Sequence, residues 1–275
     1  MFYKSGILYR STVLDIAGIA HGFSAREGGV STIPHLSSLN LTRGLGDTEE
    51  NVRRNIDIFA RAVSGDILGG ESVVCAHQIH SANVRVVGKS NRGEGYSLEM
   101  GEDCDGFVTD VVGVMPIVRV ADCVPILFSG TKADGSPVIG GAHAGWRGTV
   151  GGIAAVTVKK MLSLGCIRET VRAAIGTHIG VCCYEVGEDF YSSVSEIRGE
   201  EFAARHIKST RVAGKYMANL TGMNLEILSE VGVAAESVDV SPYCTACDSE
   251  TFFSHRKSGG RRGTMGAGIV ILHRG

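Results

Sequence analysis

Three residues of this 275-residue chain have the chemistry to hold a metal ion and stand where loops can bring them together: His80, Cys123 and His143. His80 lies in the turn between two β-branched runs, in the segment His77-Gln-Ile-His80. Cys123 stands at the mouth of the apolar run 124–128, and His143 ends the run 137–142 before a glycine-rich turn. Strand ends and the loops on them are where active-site groups commonly sit. Two imidazoles and one thiolate are a ligand set for zinc, and three protein ligands leave the fourth position to water or substrate. That would be a reactive metal rather than a structural one. The plainer alternative is a small buried cysteine and two hydrogen-bonded strand-end histidines. Nothing in the local spacing is as diagnostic as a His-Glu-x-x-His helix.

Other candidates are weaker. Cys244-Thr-Ala-Cys247 is a lone C-x-x-C without the second pair of a zinc ribbon, and reads as a tight turn with half-buried thiols. Cys182 and Cys183 are adjacent, so on a strand they would point to opposite faces and would not readily share a metal. Two glycine-flanked turns carry arginines, Arg26-Glu-Gly-Gly29 and Gly145-Trp-Arg147-Gly148. Backbone N–H groups there favour an anion, although each turn alone also reads as an ordinary β-turn or a capped helix. No phosphate-binding P-loop is present, and Gly263 to Gly268 is not followed by the βαβ unit of a dinucleotide site.

Placing these residues requires a scaffold of interleaved strands and helices. Strands are predicted at 72–76, 83–87, 106–109, 115–120, 124–128, 137–142, 171–175, 238–240 and 267–272. The run 124–128 is continuously apolar, as in a strand buried on both faces. Helices are predicted at 49–62, with acids in the first turn, at 149–164 and at 220–230. Another should present Val186, Phe190, Val194 and Ile197 on one face. The fold class is α+β, an α-β sandwich of mixed sheets flanked by helices, in one domain spanning 1–275.

Composition narrows the function. With 44% hydrophobic and 20% charged residues, the chain is globular rather than disordered. A net charge of −2 gives no pull towards nucleic acid or an anionic membrane, so neither is an expected partner. Arg119 and Asp122 interrupt the most apolar stretch, and Lys4, Arg10 and Asp15 break any secretory signal core. A cytoplasmic location with reduced thiols is expected.

Taken together, HGFSAREGGVS, GDTEENVRRN, HQIHSANV, CDGFVTD, VADCVPILF, GGAHAGWRGT, IGTHIGVCCYEVG and CTACDSETFFSHRKSGGRRGTMGAGIVIL resemble the bacterial YfiH group. These are the multicopper polyphenol oxidase or laccase-domain proteins, also called peptidoglycan editing factors. The resemblance runs from His21 to the C-terminus. It implies one zinc on His80, Cys123 and His143, and a fold related to a deamidating toxin domain with a Cys–His pair. It also implies purine nucleoside chemistry: phosphorolysis of adenosine, inosine and methylthioadenosine, and deamination of adenosine. The small-molecule partners are then a purine nucleoside and phosphate. Glu185 is the expected acid–base group, Arg26 and then Arg147 the expected phosphate ligands, and Asn40 a contact to ribose or base. The sequence departs from the family pattern at Thr177 and Val181, where proline is usual, and in the turn RRGTMGAG. Alternatives kept open are a copper-dependent polyphenol oxidase at the same ligands, a metal-free cysteine hydrolase, and a peptidoglycan-precursor editing factor that uses the zinc structurally. A structural zinc would show a fourth protein ligand, with Cys247 or His77 as candidates.

Overall fold

The structure, a computed structural model, describes residues 1–273. Two six-stranded sheets face each other. The first runs in the order Phe2–Ser5, Leu8–Ser11, Ile19–Ser24, Met265–Ile271, Met115–Val120, Val73–Val74. It is antiparallel except where Val73–Val74 joins Met115–Val120 in parallel. The second runs Val238–Val240, Arg172–Ile175, Val124–Thr131, Pro137–Ala144, Gly106–Thr109, Val84–Val86, antiparallel at its centre and parallel at both edges. A three-stranded antiparallel sheet, Glu185–Gly187, Lys215–Ala218 and Ile207–Ser209, stands apart.

The alternation of strand side chains builds three apolar layers from two sheets. Between the sheets, Val118, Val120, Ala267 and Ile269 meet Phe107, Leu127, Ile139 and Ala174. On the outer face of the first sheet, Met115, Ile117 and Val270 pack on Val52, Ile56 and Phe59 of the helix Glu49–Ser64. On the outer face of the second, Ile126, Phe128 and Ala142 pack on the helices Ile153–Ser163 and Leu220–Glu230. The continuous apolar run at 124–128 follows directly: Leu127 serves the middle layer while Ile126 and Phe128 serve the outer one. The molecule is the expected sandwich of mixed sheets flanked by helices.

Three local features differ from expectation. The runs around His80 are not neighbours in one sheet: Val73–Val74 belongs to the first and Val84–Val86 to the second, so the histidine rides on a crossover. The helix predicted over 149–164 is two helices, Trp146–Val150 and Ile153–Ser163, broken at Gly151 and at Gly152, whose φ is 77°. Val186 lies in the strand Glu185–Gly187, and its helix begins at Glu188. No strand is predicted before residue 25 or between 207 and 218: Phe2–Ser5 and Ile207–Ser209 are edge strands with exposed residues, only Ala218 of Lys215–Ala218 is buried, and Ile19–Ser24, though buried, carries His21, Gly22 and Ser24.

Candidate metal centre and active site

One end of the sandwich gathers the three candidate ligands. Residues 121–123 carry the chain from Met115–Val120 in the first sheet to Val124–Thr131 in the second, and Cys123 is the last of them. His143, in Pro137–Ala144, pairs with Pro125, while His80 sits on the crossover from Val73–Val74 to Val84–Val86. The Nε2 atom of His80 lies 3.9 Å from the Cys123 sulfur. The two imidazole rings meet edge to face, with centroids 4.9 Å apart. One ligand atom from each of the three residues lies within 4.8 Å of the others. Among the described residues no further histidine, cysteine or carboxylate joins this group, so neither Cys247 nor His77 supplies a fourth ligand.

A buried carboxylate organises the site. Asp105 is fully buried, and its Oδ1 lies 2.8 Å from His143 Nδ1, which leaves Nε2 of that ring free to face Cys123. The same carboxylate accepts hydrogen bonds from the backbone N–H of His80 at 2.9 Å and from the N–H and hydroxyl of Ser81, both at 2.7 Å. It therefore fixes one ligand by its ring and another by its backbone. Burial works to raise the Asp105 pKa, yet the bonds from His143 and Ser81 hold it below the ordinary carboxylate value. Sequence reasoning did not single out Asp105; its only signal was its place in CDGFVTD.

Backbone conformation at the site is costly. His80 and Asp122 have φ of 61° and 86°, a left-handed region that residues other than glycine seldom enter. Asp122 is held by the Thr245 hydroxyl at 2.5 Å and by the Arg256 N–H at 2.6 Å, and these bonds set the turn presenting Cys123. Gly145 lies under the triad: a Cβ there would come within 2.7 Å of the His80 ring and 3.3 Å of the Cys123 sulfur. A Cβ on Gly148 would meet the Ser81 carbonyl at 2.7 Å. The glycines of the AHAGWRG segment are thus demanded by close approach.

Without a metal Cys123 and His143 share charge. Burial opposes it, but hydrogen bonds and charge from His143 and His80 bring the Cys123 thiol down to about 6 from its ordinary 9.0. Burial likewise opposes protonation of His143, while Asp105 and Cys123 raise it to about 9. The metal-free arrangement is a thiolate beside an imidazolium.

Two cavities adjoin the triad. One, of about 340 Å³, is lined by His80, Cys123, Trp146, Arg147, Tyr184 and apolar Ile79, Ile179 and Leu220. The other, of about 260 Å³, is lined by the three ligands with His77, Arg119, Arg262 and Thr264. A larger cavity of about 520 Å³ lies along the helix Glu49–Ser64, away from this chemistry.

Known proteins resemble this chain over nearly its whole length. Residues 20–272 match the family model described as multi-copper polyphenol oxidoreductase laccase. The chain belongs to this family. It is 35% identical over 265 residues to purine nucleoside phosphorylase YlmD of Geobacillus stearothermophilus, covering 94% of this chain and 91% of that protein. It is 31% identical to adenosine deaminase RL5 from an unknown prokaryotic organism, covering 93% and 97% of the two chains. The crystal structure of Bacillus licheniformis YfiH superposes with a TM-score of 0.87 at 29% identity, covering 98% of each chain. That of Geobacillus stearothermophilus YlmD gives 0.85 at 31% identity, covering 99% of each.

Within this fold, shared with the YfiH and YlmD structures, the remaining expected site residues separate. Arg147 lines the apolar cavity, its guanidinium 4.3 Å above the Trp146 ring. Arg26 does not reach the triad cavities: it donates to the carbonyls of Ser37 and Ser249 at 3.1 and 2.9 Å, stacks on Phe253, and borders a separate cavity. Asn40 is fully buried and spends its amide on the fold, bonding Thr42, Asp47 and the backbone N–H of Thr264. Glu185 is exposed, 3.6 Å from the Lys215 ammonium, and outside both cavities. A glycine turn that presents an arginine to anions presents it equally to carbonyls, and here Arg26 meets carbonyls. Arg262 belongs to the basic stretch from His255 to Arg262, which the sequence offers to phosphate or, more simply, to solvent. It lines the triad cavity, and its Nε is buried without a hydrogen-bond partner. Cys182 and Cys183 lie in a turn closed by bonds from the Cys183 and Tyr184 N–H groups to the Gly180 carbonyl, at 3.0 and 3.1 Å. They are not on a strand, and their sulfurs fall on the same side, near Cys247.

Proposed function

We propose that the chain is a zinc-dependent purine nucleoside enzyme, cleaving adenosine, inosine and methylthioadenosine with phosphate and deaminating adenosine. The observation that carries this reading is the cluster of His80, Cys123 and His143, three metal-sized donors at the mouth of a cavity with no fourth ligand among the described residues. The names of the relatives, purine nucleoside phosphorylase and adenosine deaminase, support it.

The donor set fits zinc. One thiolate and two imidazoles suit a borderline-soft ion, and the bond from His143 to Asp105 is the carboxylate support that metal-binding histidines usually have. Bound there, zinc supplies Lewis acidity at its open position. The chain's own residues do the rest. Trp146 and Tyr184, with Ile79, Ile179 and Leu220, offer an aromatic and apolar wall to a purine. Phosphorolysis breaks the C1′–N9 bond: a phosphate oxygen bonds to C1′, and the base leaves with the electron pair and takes a proton. Each cavity beside the triad carries one arginine, Arg147 in the first and Arg262 in the second, a charge that supports holding phosphate there. Tyr184 faces the cavity, and burial raises its pKa, so it stays a neutral phenol able to donate a hydrogen bond, whereas exposed Glu185 lies outside both cavities.

The deciding experiment is Cys123→Ala. It is expected to abolish release of hypoxanthine from inosine and adenine from adenosine in phosphate buffer; unchanged turnover refutes the zinc reading. A second reading, a metal-free cysteine hydrolase, is favoured by the low thiol pKa of Cys123 beside protonated His143. Its mark would be rapid alkylation of Cys123 in native protein carrying no metal, and one equivalent of zinc on that site counts against it. Copper would find acceptable donors in the triad. Multi-copper oxidation needs further histidine groups, and the other metal-sized cluster among the described residues is all cysteine.

A further inference from the structure

Four thiols meet outside the triad. Cys182 and Cys183 lie in the turn after Gly180, and Cys244 and Cys247 in the segment following the strand Val238–Val240. All four sulfurs lie within 4.8 Å of one another. The Cys247 sulfur is 3.5 Å from that of Cys182 and 3.4 Å from that of Cys183. A tetrahedral ion with zinc–sulfur bonds near 2.3 Å sets its sulfurs about 3.8 Å apart, so the cluster has the dimensions of one mononuclear centre. The larger cage of a multi-iron cluster would hold its thiolates further from one another.

The backbone is arranged for this cluster as well. The Gly180 N–H donates to the Cys244 sulfur at 3.2 Å, a bond of the kind that supports a metal thiolate. A Cβ on Gly180 would lie 3.2 Å from the Cys182 sulfur and 3.3 Å from the Cys244 Cβ, so glycine permits the close packing. The two segments also pair directly, through the Thr245 N–H and the His178 carbonyl at 3.0 Å.

We propose that Cys182, Cys183, Cys244 and Cys247 bind one zinc ion as a structural tetrathiolate site. Four protein ligands leave no open position, so this ion fastens rather than reacts. It ties the loop carrying Ile179 and Tyr184, two walls of the triad cavity, to the loop carrying Thr245, whose hydroxyl holds Asp122 beside Cys123. These cysteines are therefore positioning residues for the site. The inference does not depend on the nucleoside reading, because it concerns a separate set of ligands.

The test is metal counting on protein purified anaerobically with a thiol reductant. Wild type is expected to hold two equivalents of zinc, and the Cys123→Ala/His143→Ala variant, with all four cluster cysteines intact, one. A mercurial titrating four thiols of that variant should release its remaining zinc. Cobalt exchanged into the same variant should show intense thiolate-to-cobalt charge transfer. Cys244→Ser/Cys247→Ser should lose one equivalent relative to wild type and show a raised KM for the nucleoside with a smaller change in kcat. A triad variant without zinc, a red iron-bearing protein, or cluster cysteines recovered as disulfides under these conditions would each overturn the assignment. Loss of the triad ion alone would strike the proposed activity and leave this site standing.

Discussion

At the scale of single residues, Asp105 does more than its neighbours. One buried carboxylate orients the His143 ring and pins the backbone that carries His80. Asp105→Asn keeps the shape but loses the charge, and is expected to weaken metal binding by about 10- to 100-fold. Competition with a chelator measures it; affinity equal to wild type would remove Asp105 from the site. His21 lies apart from the site and governs a different property. It is buried, and its Nε2 accepts the Ser11 N–H at 2.9 Å, which requires an unprotonated nitrogen. Burial lowers its pKa from 6.5 to about 4. Between those values the unfolded chain binds the proton and the folded one does not. The stabilisation is therefore complete above about pH 6.5 and is lost as pH falls towards 4, by about 3 kcal/mol from this residue. Urea midpoints from pH 7 to pH 4 should fall more steeply for wild type than for His21→Gln. Parallel profiles would contradict the assignment.

At the scale of elements, the helix Glu49–Ser64 is secured by one aromatic ring. Its start is capped by the Thr48 hydroxyl, which accepts the Asn51 N–H at 3.1 Å. Fully buried Phe59 lies over the strand Met265–Ile271 where that strand has glycines. A Cβ on Gly268 would sit 3.0 Å from the Phe59 ring, and one on Gly266 only 2.6 Å from Leu41. The glycine-rich stretch TMGAGIVI is thus a seat for a helix, in keeping with the absence of a dinucleotide motif. Phe59→Ala is expected to cost about 3–5 kcal/mol in urea unfolding, as a large cavity in a closed layer does. A loss below 1 kcal/mol would mean that the ring is not seated there.

At the scale of the molecule, the chain passes between the two sheets four times, and the crossovers at 75–83 and 121–123 carry His80 and Cys123, so site and sandwich should come apart together. Trp146 is the only tryptophan and lines the triad cavity, while far-ultraviolet circular dichroism reports on the sheets. We expect the two signals to unfold at coincident urea concentrations, as one cooperative unit would. Separated midpoints would show two units instead of the single domain 1–275. Among the described residues no helix is long and apolar enough to cross a membrane.

Strand placement was legible where a continuous apolar run is buried on both faces, as at 124–128, but not in Ile19–Ser24, which is as buried yet carries His21, Gly22 and Ser24. The triad was legible as residue types at strand ends, and the family motifs singled it out. The partners of those residues were not legible. Asp105, Arg262 and the four-cysteine cluster depend on loops distant in sequence meeting at one end of the sandwich, and Arg26 and Asn40 were diverted to backbone groups that only folding brings near. A sequence sets which side chains prefer burial and which atoms bind metals; which thiol meets which, and which arginine is left without a carbonyl, is decided by the path of the chain between the sheets.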